Sequence, residues 1–480
     1  MRISCPQGIA QGGLLSFQCM QPSSSRKHSL PEQKRTPEAS IRYHLDACCE
    51  LQQRVSETAE HRAVHCCSQA ALHASRREAK MSAAPRPLFI AATRQHVGKT
   101  TVSLAVLSGL RKRFGDRVGF VKPVGQQHVP VGAKGIRVDK DVQLMKEYFG
   151  LNHLRYEDMS PVLVPRDYTK RFIDGEVSSD DQTLRIQAAV QRVQETSDVL
   201  IYEGTGHVGV GAIIDASNAD VARRLDADVV LVANGGIGSA FDELEVNRAV
   251  LKDKGVRLRG VVLNKVVPDK VEQVRDYVGR AIQERWGVPL LGVVPDLPFL
   301  GKATLGDLER LLDGELISGR RYRDLHFGTQ DLACVTTAVR RFLRKTHFRQ
   351  SEKNETRPLF VTHCTRDDVL LAFLAYYKRS TVPLPDGVMD RDGWLGAMVL
   401  CKGECDMDPK QSVEDNTHLP YLVDIARAYD APVMLTKLGT VEATNVMANF
   451  TAKMHVGDRS RIQAAIDHYE PHIDFEKLLG

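Results

Sequence analysis

Residues 88–100, LFIAATRQHVGKT, are the stretch that decides the fold of this chain. Its first residues, 88–91, are apolar, as in a short buried strand. A helical pattern follows directly, carried by Val102, Ala105, Val106 and Leu110. Gly98-Lys99-Thr100 therefore lies between a strand and a helix, the context that a phosphate-binding loop requires. Backbone N–H groups and the helix N-terminus would hold phosphates, Lys99 would add a positive charge, and Thr100 would offer a hydroxyl to Mg²⁺.

The start of this loop departs from the usual glycine pattern. The common spacing places glycine at the position of Thr93, and a spacing one residue longer places it at the position of Ala92. Without glycine, the backbone there has fewer accessible conformations. The other loop residues predicted to contact a nucleotide are His96, Val97, Gly98 and Thr101.

Length and composition narrow the class of protein. A chain of 480 residues exceeds one typical core, so two or three structural units are expected. Hydrophobic residues make up 42% and charged residues 26%, which is ordinary for a soluble protein, and no apolar run approaches the length of a membrane span. Positive charge is concentrated in residues 1–80, which hold 11 Lys and Arg against 7 Asp and Glu. Because the rest is nearly neutral, we expect neither a nucleic-acid nor a membrane partner.

Residues 1–85 are predicted to be a leader, disordered or similar to a transit peptide. They hold most of the cysteines and show no sustained apolar periodicity. No acidic residue precedes Glu32, which is typical of an organelle transit peptide. Met81, directly before the first strand, equally fits an upstream extension that is rarely or never translated. We therefore expect a cytoplasmic protein, or a plastid or mitochondrial one if residues 1–80 are a transit peptide.

Apolar strands alternate with amphipathic helices from residue 86 to about residue 300. Strands are predicted at 88–92, 117–122, 198–203, 227–233, 259–264 and 289–294, and helices at 101–114, 181–197, 239–254 and 269–286. The strands are almost continuously apolar, which indicates a sheet covered on both faces. The pattern predicts a doubly wound α/β domain with a mostly parallel sheet, whose ligands lie at the carboxyl ends of the strands.

Polar residues stand at those predicted strand ends. Lys122 closes the second strand, Glu203 closes the strand over 198–203, and Asn264 closes the strand over 259–264. Asp141 lies near the start of a predicted helix, where a carboxylate can cap the helix or reach a metal ion. Since the carboxyl ends of parallel strands share one edge, we expect these four side chains to converge on one rim.

The stretches ATRQHVGKT, RVGFVKPVGQ, DKDVQL, DVLIYEGTGH and GVVLNKVVP, in this order and spacing, resemble the ATP-binding domain of dethiobiotin synthetase. They resemble still more closely the domain of this kind at the N-terminus of long bacterial phosphate acetyltransferases. The likeness covers residues 86–300. It implies that Lys99 and Lys122 contact the transferred phosphoryl group as catalytic residues, and that Thr100, Asp141 and Glu203 hold Mg²⁺. The implied cofactors are ATP and Mg²⁺.

The resemblance also assigns Asn264 to the adenine base, but the substrate side departs from the synthetase pattern. The acidic residue before Val-Gly-Lys-Thr is His96 here, and the Ser-Gly pair after the lysine strand is replaced around Gln126 and Gln127. Residues 235–238 lack the lysine that some synthetases carry. The residues expected to bind the nucleotide are thus present, whereas those expected to bind the diamine substrate are not.

A second, smaller α/β domain is predicted at 356–480, after a helical connector at 301–355. Its strands are expected at 359–362, 394–400 and 433–435. The pattern resembles the DRTGG domain of the same acetyltransferases, with Thr365-Arg366-Asp367-Asp368 at the name-giving motif and Lys402-Gly403 at the later glycine pair. Because the chain ends at Gly480, we expect that it is not a complete phosphate acetyltransferase and lacks the catalytic acetyltransferase domain.

Two functions remain open. The first is a Mg-ATP-binding regulatory or sensing protein that hydrolyses ATP slowly. The alternative is an ATP-dependent ligase or carboxylase-like enzyme, which would activate a carboxylate or carbamate through an acyl phosphate. The expected partners are ATP and an unidentified small-molecule carboxylate or effector, and we expect a homo-oligomer, a dimer.

Overall fold

A computed structural model describes residues 85–133, 135–327, 332–334, 338–344, 358–381, 396–402 and 420–480. Nearly all of the predicted leader lies outside the described residues, as do Trp394 and Gly403. The six-stranded sheet and the five-stranded sheet of the fold both belong to one unit of the chain, Ala84–Gly480.

The strands are β1 (Leu88–Ala92), β2 (Val118–Val121), β3 (Val124–Gly125), β4 (His128–Val131), β5 (Ile136–Asp139), β6 (Val162–Leu163), β7 (Val199–His207), β8 (Asp228–Asn234), β9 (Leu258–Val266), β10 (Leu290–Pro295), β11 (Ala303–Thr304), β12 (Gly314–Ser318), β13 (His326–Phe327), β14 (Leu332–Cys334), β15 (Leu359–His363), β16 (Ala397–Cys401) and β17 (Val433–Thr436). The helices are α1 (Lys99–Phe114), α2 (Lys140–Phe149), α3 (Tyr156–Met159), α4 (Tyr168–Ile173), α5 (Ser179–Gln194), α6 (Asn218–Arg224), α7 (Gly238–Asp253), α8 (Val271–Trp286), α9 (Leu305–Leu311), α10 (Asp367–Thr381), α11 (Pro420–Tyr429), α12 (Thr440–Ala448), α13 (Arg459–Tyr469) and α14 (Phe475–Leu479). Short 3₁₀ helices lie at Ala212–Ile214, Pro268–Lys270, Pro298–Gly301, Arg320–Tyr322 and Glu470–His472.

The first sheet is parallel throughout and has the strand order β10-β9-β8-β1-β7-β2. Residues of β1, β2 and most of β7 and β8 are buried, because helices cover both faces of the sheet. The chain runs from β1 to one side and later returns to the other side at β8, so the loop after β1 lies at a topological switch point. The predicted α/β class with a mostly parallel sheet is confirmed.

Helix α1 begins at the phosphate loop and is buried along most of its length. Its residues 101–110 are all buried. The helix ends at Gly115, whose left-handed φ of 63° lets its N–H reach Arg111 O at 2.9 Å. Three basic residues in the last turn complement the negative end of the helix dipole. The opposite, positive end points to the loop.

The second sheet has the order β12-β17-β16-β15-β14, in which β14 to β17 are parallel and β12 is antiparallel to β17. The strands expected at 359–362, 394–400 and 433–435 correspond to β15, β16 and β17. The motif Thr365-Arg366-Asp367-Asp368 joins β15 to α10, and Arg366 pairs with Asp368 through two contacts of 2.8 and 2.9 Å. The assignment of this part to the DRTGG domain stays a prediction.

The segment predicted as a helical connector contains more β structure than expected. Within its described residues lie β11 to β14, and β12 belongs to the second sheet. These strands have two to five residues, too few for a periodic pattern, and β12 pairs with residues far away in the sequence. The domain boundaries themselves stay a prediction.

The C-terminal residues return to the first core, which the sequence did not indicate. Helix α13 packs along α1, and the side chains of Ile462, Ile466, Ile473 and Phe475 join the core of the first sheet. Beyond α13, Glu470 accepts a hydrogen bond from Ser108 at 2.8 Å and pairs with Lys112 at 2.6 Å, both on α1.

A buried arginine fixes the start of this return. Arg461 on α13 is fully buried, and its guanidinium lies 3.1 Å from Asp458 and 3.5 Å from Asp307 on α9. His326 lies 2.9 Å from the same Asp458 carboxylate. Such a buried charge is stable only when its partners remain in place, so the cluster joins β13 and α9 to the C-terminal segment.

Within the described ranges, no helix is both long and apolar enough to cross a lipid bilayer.

The contact between α1 and the C-terminal segment can be tested at Gly109 and Phe475. The Phe475 ring occupies the space into which a Cβ at Gly109 would project. We expect Gly109→Ala to lower the free energy of unfolding by about 1–3 kcal/mol through overpacking, and Phe475→Ala by about 3–5 kcal/mol. In the double variant the alanine methyl group enters the space that Phe475 vacates. The double variant should therefore lose less free energy of unfolding than the sum of the losses in the two single variants. Urea unfolding measures all three, and strict additivity would contradict the contact.

Candidate functional site

The phosphate loop connects β1 to α1 at the carboxyl edge of the first sheet. His96 and Gly98 have left-handed backbones, with φ of 61° and 100°. Gly98 is the N-cap of α1, and no side chain in the described part of the protein caps the first turn. The N–H groups of that turn are therefore available to an anion, which the helix dipole would stabilise.

A buried charge cluster lies beside the loop, centred on Lys122. This lysine follows β2 and is 6% exposed. Its Nζ contacts Asp141 Oδ2 and lies 3.0 Å from Asp139 Oδ1 and 3.8 Å from Glu203 Oε1. Val121 of β2 lies opposite Tyr202 of β7. The next residues in each chain segment, Lys122 and Glu203, therefore meet at the same edge of the sheet.

The two aspartates come from the start of α2. Asp139 caps this helix by accepting a hydrogen bond from Asp141 N at 3.0 Å, and it also accepts one from Gln127 N at 3.3 Å. A Cβ at Gly125 would lie 2.7 Å from Asp139 Cβ and 2.8 Å from Asp139 Oδ2, so glycine is required where β3 passes this carboxylate. The hairpin of β4 and β5 thus delivers both aspartates to Lys122.

The cluster shifts the pKa values of its members in different directions. Burial alone would lower the pKa of Lys122, but the carboxylates of Asp141, Glu203 and Asp139 raise it, so the lysine stays cationic. Burial alone would raise the pKa of Asp141, and the charge of Lys122 lowers it. Burial and the neighbouring charge of Asp141 raise the pKa of Glu203 to about 7.

Glu203 also connects the cluster to the loop. Its Oε1 accepts a hydrogen bond from Thr100 Oγ1 at 3.0 Å, while its Oε2 is buried and has no hydrogen-bond partner among the described residues. Lys99 Nζ donates to Gly206 O at 2.9 Å, and burial lowers the pKa of this lysine. The oxygens of Thr100, Asp141 and Glu203 are ligands of the kind that Mg²⁺ prefers, so the residues present fit that ion.

Asn264 lies on the other side of the loop. It is fully buried, its Nδ2 donates to Val97 O at 2.7 Å, and its Oδ1 accepts from Lys265 N at 2.8 Å. Val97 is also buried, whereas the His96 side chain is exposed and Thr101 faces the interior of the fold. The structure thus brings Lys99, Thr100, Lys122, Asp141 and Glu203 together, and it places Asn264 against the loop backbone.

Sequence reasoning missed residues that hold the turn after Glu203. Asn218, at the start of α6, donates to Thr205 O at 2.8 Å and to His207 O at 2.7 Å, and accepts from Thr205 N at 3.1 Å. These contacts fix the turn in which Gly206 O receives Lys99. An asparagine at a helix start usually indicates a cap, so the sequence carried no signal for this role.

Comparisons with known proteins found similar sequences and similar folds. Residues 86–304 match a family described as an AAA domain. The ATP-dependent dethiobiotin synthetase of Methanococcus vannielii is 26% identical over 209 residues, which are 44% of this chain and 93% of that protein. The phosphate acetyltransferase of Pseudomonas aeruginosa is 25% identical over 409 residues, 81% of this chain and 51% of that protein. Among solved structures, the MinC:MinD complex of Aquifex aeolicus aligns with 45% of this chain and 83% of that one, at 16% identity and a TM-score of 0.27.

Residues 86–304 are therefore similar to P-loop domains of the dethiobiotin-synthetase-like kind and to the corresponding part of phosphate acetyltransferases. The chain spans about half the length of the phosphate acetyltransferases that it matches. The roles of the individual site residues stay predictions.

The raised pKa of Glu203 predicts how stability depends on pH. Its ordinary value is 4.5, so between about pH 4.5 and 7 the folded protein holds a proton that the unfolded chain has released. The contribution of Glu203 to the free energy of unfolding therefore falls as the pH rises from about 4.5 to about 7. Relative to Glu203→Gln, the wild type should lose up to about 3 kcal/mol between pH 5 and 8, at roughly 1.4 kcal/mol per pKa unit.

Urea unfolding of both proteins at several pH values measures this difference. Glu195→Gln, at an exposed position, is the matched control and should track the wild type. If the difference in the free energy of unfolding between the wild type and Glu203→Gln does not change with pH, Glu203 titrates in its ordinary range.

Proposed function

We propose that this chain binds Mg-ATP at the phosphate loop and acts as a nucleotide-dependent regulatory or sensing protein with slow ATP hydrolysis. The observation that carries this proposal is the uncapped N-terminus of α1, which lies beside Lys99 and the cluster of Lys122. Helix N–H groups and the ammonium group of Lys99 form a site for an anion at this rim, and a divalent cation would offset the excess negative charge of the carboxylates around Lys122.

Each residue of the site has a distinct part in this proposal. The N–H groups at the start of α1 bind phosphate oxygens, and Lys99 exchanges its contact with Gly206 O for a phosphate. Lys122, held by three carboxylates, presents a fixed positive charge to the same group. Mg²⁺, held by oxygens of Thr100, Asp141 and Glu203, would supply charge neutralisation on the phosphates. The unpartnered Oε2 of Glu203 supports its place in this set.

Slow turnover follows from the state of the carboxylates. A general base must accept a proton from the attacking water, which requires a pKa near the working pH. Asp141 is bound to Lys122, which lowers its pKa, and Asp139 is engaged by Lys122 and two backbone N–H groups. Asp141 is therefore a weak base, and Glu203, whose pKa of about 7 would suit a base, is assigned to Mg²⁺ in this proposal, so the site is better suited to binding ATP than to rapid hydrolysis.

The substrate rim supports a function other than dethiobiotin synthesis. His96 stands where the resembling synthetases carry an acidic residue, and an imidazole never offers the negative charge that attracts a diamine. Gln126 and Gln127 are exposed at the rim, where they are bulkier than the Ser-Gly pair of the synthetases. A regulatory protein needs the nucleotide half of the site only. The ligand of the second sheet, the cellular compartment and the expected homodimer remain predictions.

A ligase or carboxylase-like enzyme is the second candidate. Lys122 favours it, because a cation fixed by Asp139, Asp141 and Glu203 is more than nucleotide binding requires. In such an enzyme, Lys122 and Lys99 would stabilise the charge that develops as a carboxylate or carbamate takes the phosphoryl group.

The nucleotide proposal predicts a loss of affinity in Lys99→Ala. The variant removes a charge-assisted contact to phosphate, so Mg-ATP binding should weaken by about 1.5–3 kcal/mol. Calorimetric titration of the wild type and the variant measures the change. Lys252→Ala, at an exposed position of α7, is the control and should bind like the wild type. Equal affinity in Lys99→Ala and wild type would exclude this loop as the ATP site.

The departure of the substrate rim predicts that this chain cannot replace a dethiobiotin synthetase. Expressed in a biotin auxotroph that lacks the synthetase, it should not restore growth without biotin. The Methanococcus vannielii synthetase in the same strain is the positive control. Growth supported by this chain would show that other side chains rebuild the diamine pocket.

A further inference from the structure

We propose that a groove at the outer edge of the first sheet binds a small organic carboxylate that carries an apolar group. The groove lies between α8, the first half of β10 and the segment 471–477. Two strands, β9 and β8, separate β10 from β1, after which the phosphate loop begins. The groove therefore adds a second ligand to the proposed regulatory function, at a place that can be tested without nucleotide.

The size and lining of the groove suit a small amphiphilic molecule. Its volume is about 450 Å³, which is typical of small-molecule sites. Leu290 and Leu291 of β10 contribute to an apolar floor. On α8, Arg275, Gly279 and Gln283 recur at every fourth position and so share the face that forms one wall. Gly279, in the middle of this face, has no side chain to fill the space between α8 and β10.

The wall opposite α8 is fixed against the edge of the sheet. Ile473 forms an antiparallel bridge with Gly292, and Asp474 N donates to Leu291 O at 2.8 Å. A Cβ at Gly292 would lie 2.6 Å from His472 O, so the segment crosses β10 directly over a glycine. Because these contacts already engage the strand edge, the groove is preformed and is suited to a small molecule rather than to an added strand.

The charges of the lining favour an anion. Three charged side chains line the groove, the cationic Arg275 and Lys477 and the anionic Asp474. Asp474 is engaged within its own wall, because it lies 2.8 Å from Lys477 Nζ and accepts a hydrogen bond from Lys477 N at 3.0 Å. Arg275 pairs at 3.1 Å with Glu272, which is exposed and lies outside the lining, so a ligand carboxylate can replace this partner at little cost. An excess of one positive charge suits a monoanion better than a cation or a polyphosphate.

His472 adds a hydrogen-bonding group to the lining. Burial and the neighbouring positive charges of His468 and Arg275 lower the pKa of His472, so its imidazole is neutral near pH 7. A neutral imidazole can donate one hydrogen bond to a carboxylate. The apolar part of a ligand would then pack on Leu290, while its carboxylate meets Arg275 and His472.

Saturation-transfer NMR titrations of the full chain test this site with hexanoate and phenylacetate and with their neutral amides. Each acid should bind more tightly than its amide by about threefold to tenfold, as expected for a partly exposed charge-assisted contact. Arg275→Met and Lys477→Met should each weaken binding of the acids by about threefold or more and leave the amides within about twofold of the wild type. Arg280→Met is the matched control, because Arg280 pairs with Asp276 on the same helix at 2.9 Å and does not line the groove. It should bind both ligand types like the wild type.

Gly279→Leu tests the location of the site. The leucine side chain would fill the groove, since a Cβ at Gly279 would already lie 3.4 Å from Leu290 Cδ2. Binding of acids and amides should therefore weaken by at least about tenfold. Leucine favours a helix more than glycine does, so the variant should melt no lower than the wild type. Its affinity for Mg-ATP should be unchanged, because the groove does not include the phosphate loop.

Three outcomes would overturn the inference. They are equal affinity of the wild type for acids and amides, acid binding that neither Arg275→Met nor Lys477→Met weakens, and acid binding that Gly279→Leu leaves unchanged. A wild type that binds Mg-ATP but neither acid would also overturn it and leave the proposed nucleotide function intact. A wild type that binds the acids as expected but not Mg-ATP would instead overturn the nucleotide function alone.

Discussion

The burial of Lys122 is the constraint on which the site depends. An ammonium group removed from water is stable in the folded protein only when carboxylates surround it, and three converge here from the start of α2 and from β7. The hairpin before α2, the helix cap of Asp139 and the pairing of β2 with β7 must all form for this to happen. The pKa of Glu203 rises because the carboxyl group is buried and, secondly, because Asp141 adds a negative charge beside it; three acids around one lysine leave an excess of negative charge. A divalent cation beside Glu203 would relieve that excess, which supports the proposed place of Mg²⁺.

The C-terminal return provides a physical connection between the second sheet and the nucleotide site. After β17 and α12, the chain passes Arg461 and packs α13 against α1, the helix whose N-terminus faces the loop. Glu470 is bonded to Ser108 and Lys112 on the same helix. Packed side chains therefore link the second sheet to the helix that begins at the phosphate loop.

The sequence predicted the parts of the fold whose signals are local. The strands around Leu88, Val199 and Val229 were found because a fully buried parallel strand is a continuous apolar run, and α1 because its apolar residues recur at helical spacing. It missed β12, whose pairing with β17 depends on residues more than 100 positions away. The packing of Phe475 over Gly109 could not be predicted either, because these two residues are also far apart in the sequence. In the site, strand ends identified Lys122 and Glu203. The contact of Asn264 with Val97 depends on how closely β9 approaches the phosphate loop, which the spacing of residues in the sequence does not indicate.

The missing glycines of the phosphate loop are explained by contacts from outside it. Thr93 is held by α7, where Asn247 Nδ2 donates to Thr93 O at 3.2 Å and Glu243 accepts from the Thr93 hydroxyl at 3.0 Å. The second half of the loop is held by Asn264 from β9. Glycine allows a loop to wrap a phosphate because it permits unusual backbone angles and close approach. Side chains from two neighbouring elements can impose the same path on a loop with fewer glycines, since they bind carbonyl groups of Thr93 and Val97 and the hydroxyl group of Thr93. A departure from the glycine pattern is therefore no argument against a phosphate site when the elements flanking the loop supply such contacts.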